Sequence, residues 1–304
     1  MSPGVILSLA ASCIFGGLYY FVPLLAPLDG EAVFAWRMLF TLPLLTLFML
    51  ASGDLPRIGE VLRRTRHEPW LLALLPLSAA LIGLQLWLFL SAPLYGWALP
   101  VSLGYFLLPL TMVLAGRVVY RDVLSPAQRL AVICAAVGVA AAIFNAGGLH
   151  WTALAVAFGY PPYFMLRRRL DLAHLGALWW DILLLWPLAL WFLLRTGDSP
   201  LAPFASHPQL WLWVTLMGVF ATLGLLFYIL ASRLLMFSLF GLLSYVEPVL
   251  LVLVAILLGE RLAPHDWFTY VPIWLAVLTL LVDGIRRLRD EARRRNVNMV
   301  QSPS

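Results

Sequence analysis

The sequence predicts an all-α membrane protein of ten transmembrane helices, built as two inverted five-helix repeats. Three observations carry that prediction. Hydrophobic residues make up 62% of the 304 and charged ones only 12%, against about 45–50% and about 25% in a soluble domain. Apolar runs of about 20 residues, the length that crosses a bilayer, recur along the chain with short polar breaks between them. The fourth and ninth runs also carry related sequences, LGYFLLPL (103–110) and LSYVEPVL (243–250).

The elements follow in order. The first span covers 4–25; no Lys or Arg precedes it and no small-x-small cleavage pattern follows, so it reads as a span and not as a cleaved signal peptide. PLDG (27–30) separates it from the second, 31–51, which holds Arg37 a third of the way in. The polar stretch 52–69 leads to the third span, 70–91, and the fourth, 97–116, contains Pro100 and Pro109, which weaken its ladder. The fifth span is 126–144, and NAGG (145–148) marks the boundary between halves. Residues 1–144 and 145–284 are therefore the expected repeats, with 285–304 a basic cytoplasmic tail. The second half reads as spans at 151–166, cut short around Pro161-Pro162, then 173–194, 210–231, 237–258 and 265–284, with a break at 195–209. Five spans per half is an odd number, so the second copy enters the membrane with opposite polarity. That is a transporter architecture, with its site between the halves near the midplane.

Arginine sets the orientation. All 20 basic residues other than histidine are arginines. With a cytoplasmic N-terminus, seventeen fall on the inside, Arg195 and Arg261 fall outside, and Arg37 stays within the membrane. Both termini are thus expected on the cytoplasmic side of a bacterial inner membrane. The charges sit in loops, which gives no support to a nucleic-acid partner; the expected partners are the bilayer and a small-molecule substrate, with the chain a monomer or homodimer. Cys13 and Cys134 lie in separate apolar runs and read as small core hydrophobes. The five histidines show no metal-ligand spacing, and no nucleophile motif, phosphate-binding loop or carboxylate dyad occurs. No enzyme, metal or cofactor is expected.

Four kinds of residue could carry chemistry. A charge near the centre of a span costs at least about 2.5–3.5 kcal/mol, so Arg37 needs a partner. Its planar fork suits a carboxylate, which belongs either to a substrate or to an internal acid, Asp181 of the seventh span; otherwise the side chain snorkels to the nearer interface. Glu247 precedes Pro248, whose missing N–H frees a carbonyl four residues back. A buried acid there, like Asp181, is a proton-coupling candidate. Tyr105 and Tyr245 occupy matching places in the two halves and could line a cavity or serve packing.

On GVILSLAASCIFGG (4–17), WRM (36–38), LIGLQLWLF (81–89), SLGYFLLPL (102–110), AFGYPPYFMLRRR (157–169) and SYVEPVLLVLVAILLGER (244–261), the chain resembles the drug/metabolite transporter superfamily, EamA-domain proteins of the RarD type. The resemblance runs over residues 4–284. It implies ten helices, cytoplasmic termini and a central cavity open alternately to either side. Arg37 matches the family's arginine in the second span, Asp181 an acid in the seventh, and Gln85 a position where relatives carry asparagine. Glu247 replaces a glycine, Pro100 an acidic residue, and Asp122 stands where the second half keeps Glu260. A subset exporting opine-type metallophores such as pseudopaline is similar too. The expected function is export of a small polar or amphipathic metabolite, driven by an ion gradient, through a site of Arg37, Gln85, Tyr105, Asp181, Tyr245 and Glu247. The alternatives are a flippase for a lipid or lipid-linked substrate, a multidrug exporter of the chloramphenicol type, and a membrane-embedded enzyme.

Overall fold

The structure, a computed structural model, describes residues 3–92, 95–195, 199–250 and 267–283, and these are helical throughout with no strand among them. The longer helices are α1 (Pro3–Phe21), α2 (Gly30–Ser52), α4 (Leu71–Ser91), α5 (Ala98–Val119), α6 (Pro126–Asn145), α7 (Trp151–Arg169), α8 (Leu175–Leu194) and α10 (Leu210–Leu234). Short helices α3 (Pro56–His67), α9 (Ala202–Ser206) and α11 (Phe237–Leu243) intervene, and α12 spans Trp267–Asp283. Among the described residues, six segments are long and apolar enough to cross a membrane: α2, α4, α5 from Pro100, α6, α8 and α10. Each expected span coincides with helix over its described residues. The tail 285–304, Glu260 and Arg261 lie outside the described residues.

Local chemistry sets the helix ends. The Asp29 carboxylate accepts from Ala32 N at 2.7 Å to open α2, and Gly53, at φ 76°, closes it in the left-handed conformation that glycine adopts without penalty. Ser125 and Gln128 form a reciprocal capping box at the start of α6.

Two segments differ from expectation. The stretch 52–69, read as a polar break, contains α3, which starts with Pro56 at its first turn and buries Val61 and Thr65. These two lie one turn apart, and Val61 packs with Leu71, Leu75, Leu172 and Ala177. One apolar stripe suffices for a helix whose other faces are arginine and glutamate. The second difference is α7, which runs through Pro161-Pro162 to Arg169. Pro161 cannot donate to the Ala157 carbonyl, and Thr111 Oγ1 of α5 lies 2.5 Å from that oxygen and donates instead. A neighbouring helix repairs the gap in the ladder.

Packing orients the helices. Trp186 Nε1 donates to Met38 O at 3.1 Å, and Trp179 Nε1 donates to Thr46 Oγ1 at 2.8 Å, so α2 and α8 run antiparallel. Tyr245 OH donates to Phe106 O at 3.0 Å while Ser238 N donates to Asp122 Oδ2 at 2.8 Å, which makes the α5–α11 pair antiparallel as well. Helix α10 packs on α1 and α2, and α7 packs between α4 and α5. Close approach of α5 to α7 requires Gly104, where a Cβ would stand 2.7 Å from Ala153 O.

Candidate functional site

Helices α1, α2, α4, α5, α7 and α10, with the chain after α11, enclose a central cavity of about 30 Å³. Its polar lining is Arg37, Tyr105, Tyr160, Tyr228, Ser244 and Glu247; Phe15, Ile82, Leu86, Phe89 and Leu108 supply apolar wall. The cavity is small, with room for no more than a few waters.

Arg37 lies in the third turn of α2 and is 2% exposed. Its Nε and Nη2 have no hydrogen-bond partner among the described residues. The ionisable groups acting on it electrostatically are Tyr160, Tyr105 and Glu247. A buried guanidinium with donors left unpaired is costly, and Arg37 is among the residues that line the cavity. The arrangement can receive an anion.

The chain beside Glu247 breaks where the proline dictates. Helix α11 stops at Leu243, two turn residues follow, and helix resumes over 246–250. Pro248 has no N–H to offer Ser244 O; Glu247 N reaches that oxygen instead, at 3.2 Å, in a tighter i to i−3 bond. The break carries Ser244 and Glu247 to the cavity wall. Around them the rings of Tyr105 and Tyr160 lie 6.3 Å apart, and Tyr228 packs on Phe15 at 5.9 Å and Phe164 at 5.4 Å.

Of the six site residues expected from sequence, Arg37, Tyr105 and Glu247 come together at this cavity; Gln85, Asp181 and Tyr245 do not line it. Gln85 is fully buried, donating from Nε2 to Ala155 O at 3.0 Å against Gly159, which has no side chain to obstruct it. Tyr245 is spent on Phe106 O, three residues before Pro109. The internal pairing of Arg37 with Asp181 does not occur. Antiparallel register sets Trp186 at Met38 and Trp179 at Thr46, so Asp181 sits near the level of residue 44. It is about 10 Å in depth from Arg37 at 1.5 Å per residue.

Asp181 pairs with Arg167, whose Nη1 is 2.8 Å from Asp181 Oδ2, and both side chains are at most 1% exposed. Tyr163 OH donates to the same oxygen at 3.1 Å, and Arg167 Nη2 donates to His174 O at 3.1 Å. Sequence reading had placed Arg167 among the loop arginines. The available signal was spacing: Arg167 falls one helical turn after Tyr163, provided the helix continues past the proline pair. Tyr160, from the same helix, was also missed.

No family model matches the chain. It is 48% identical to "Chloramphenicol-sensitive protein RarD" of Pseudomonas aeruginosa over 96% of this chain and 97% of that one. It is 38% identical to an uncharacterized transporter of Pasteurella multocida over 95% and 99%, and 30% identical to "Protein RarD" of Salmonella typhimurium over 95% and 97%. A crystal structure at 18% identity superposes with a TM-score of 0.68 over 94% of this chain and 99% of that one.

Proposed function

The chain belongs to the RarD-type family of the drug/metabolite transporter superfamily, and from that premise we propose that it exports a small anionic or amphipathic metabolite by alternating access. One observation carries the reading: a buried arginine with two unpaired nitrogens lines a central cavity together with Glu247 and three tyrosines. The substrate's carboxylate docks on Arg37 in a forked contact, tyrosine hydroxyls hold its polar groups, and their rings pack its apolar part. Glu247, on a broken helix, exchanges the proton that couples export to the ion gradient. An amino-acid-derived chelator of the opine type has the required carboxylates.

The packing supports two halves, 1–144 and 145–284, of opposite polarity. The second and seventh expected spans are α2 and α8, and the fourth and ninth are α5 and the chain from α11; both pairs run antiparallel, as inversion requires. Exchanging the halves turns the α1–α10 contact into α7–α4, and α10–α2 into α4–α8; all four occur. Arg57, Arg64 and Arg167 gather at one end of α2 and α8, where Arg64 Nη1 donates to Leu170 O. The positive-inside rule makes that end cytoplasmic. Gly4 packs against Leu234 of the arginine-bearing last turn of α10, which supports a cytoplasmic start for α1.

The test is untargeted metabolite profiling of cytoplasm and medium in cells with and without the gene. Anionic compounds retained inside the deletion strain and lost from its medium are the expected result. Unchanged metabolites with altered lipid asymmetry would replace export with a flippase. The printed name of the Pseudomonas aeruginosa relative supports a second reading, handling of chloramphenicol. A change in chloramphenicol susceptibility on deletion, without metabolite retention, would favour it.

A further inference from the structure

The central cavity has a neighbour. A hollow of about 10 Å³ is lined by Leu18, Leu25, Leu90 and Met217 together with Arg37 and Phe89. Arg37 and Phe89 also line the central cavity, so these two side chains stand between the hollows. The offset between the hollows has one direction. Along α1 the lining moves from Phe15 to Leu18 and on to Leu25, and along α4 from Leu86 to Leu90, both toward the C-terminal end. Along α10 it moves from Leu225 back to Met217, toward the N-terminal end. Helices α1 and α10 are antiparallel, with Gly4 against Leu234 and Phe15 against Tyr228. All three shifts therefore point to the same end of the bundle, where Glu31 pairs with Arg195.

We propose that Phe89 is the extracytoplasmic gate of the transport route, with Arg37 the relay that serves both sides of it. This rests on the export reading of the central cavity. The Phe89 ring stands edge-on to Tyr105, centroids 5.8 Å apart at 84°, on the wall of the cavity. Swinging it away from Tyr105 joins the hollows into one passage. Arg37 borders both, so a bound carboxylate keeps its guanidinium while the body of the substrate crosses the gate. Among the described residues that line the outer hollow, Arg37 is the only charged or polar side chain. A substrate suited to this path has its anionic group at one end and an apolar portion that leads it outward.

Labelling tests the gate without a substrate. In a background with Cys13→Ser and Cys134→Ser, single cysteines Leu86→Cys (central cavity) and Leu25→Cys (outer hollow) are exposed to a membrane-impermeant maleimide in right-side-out and inverted vesicles. With Phe89 present, Leu86→Cys should react slowly from the extracytoplasmic face. Phe89→Ala should raise that rate about tenfold by populating the open gate, with the rate from the cytoplasmic face unchanged. If Phe89→Ala does not fold, judged by a monodisperse elution profile, Phe89→Met provides the same reading. An unchanged rate, or acceleration only from the cytoplasmic face, would overturn the proposal. Either failure would leave export itself standing, because export is read separately by metabolite profiling.

Discussion

Two arginines are buried among the described residues, and their surroundings differ in kind. Arg167 has Asp181 at 2.8 Å and a backbone carbonyl at 3.1 Å; Arg37 has open donors and a cavity. Removing one member of a buried pair strands the other's charge, at about 3–5 kcal/mol. Arg167→Gln and Asp181→Asn should each lower the melting temperature in detergent, and Arg167→Met with Asp181→Leu should recover much of the loss. Arg37→Gln should destabilise clearly less, because Glu247 acts on Arg37 electrostatically but no acid among the described residues is hydrogen-bonded to its Nε or Nη2. Equal destabilisation by Arg37→Gln would mean that Arg37 holds the fold together instead of awaiting a ligand. His174, in the turn before α8, has its pKa lowered to about 4 by burial, with Arg167, Arg57 and Arg233 adding to the effect. Between that value and the unperturbed value of about 6.5, the unfolded chain binds the additional proton. Thermal stability should therefore fall as pH drops through this window, and His174→Gln should flatten the dependence. Arg37 was legible in the sequence because a lone charge in an apolar run is costly and calls for a partner. Arg167 was not, because three consecutive arginines at a helix end read as an inside-facing loop. Which of them turns inward depends on α7 surviving two prolines.

Helices here are interrupted by proline and mended by neighbours. The break before Glu247 follows from Pro248 alone and could be read from sequence. The repair of Ala157 O by Thr111 could not, because it joins residues 46 positions apart. Thr111→Val leaves that carbonyl without its donor, a loss of about 1–3 kcal/mol that a thermal melt would show. Glycine contacts provide a graded test. At Gly104 a Cβ meets the backbone oxygen of Ala153 at 2.7 Å, whereas at Gly83 the close atom, at 2.5 Å, is a terminal methyl of Leu185. Gly104→Ala should cost clearly more stability than Gly83→Ala, since a side-chain end can rotate and a packed helix backbone cannot. Helix α3 escaped sequence reading for a related reason: its buried stripe is only Val61 and Thr65, too short for periodicity to register.

At the scale of the whole molecule, an all-helical chain with several membrane-length apolar helices was readable from hydropathy; the odd count of expected spans per half is what motivates the proposal of opposite polarity. The antiparallel pairing of α2 with α8 agrees with that reasoning. It also explains why Arg37 and Asp181 do not pair: antiparallel partners bring only matching depths together, and these two residues are at different depths. The account therefore depends on Arg37 serving a ligand instead of an internal acid. The most direct measurement is export, from cells lacking the native gene, of the metabolites that the deletion strain retains, with wild-type protein or Arg37→Gln restored at equal membrane abundance. The account predicts that wild type returns these anions to the medium and that Arg37→Gln leaves them in the cytoplasm. Equal export by the two proteins would contradict it.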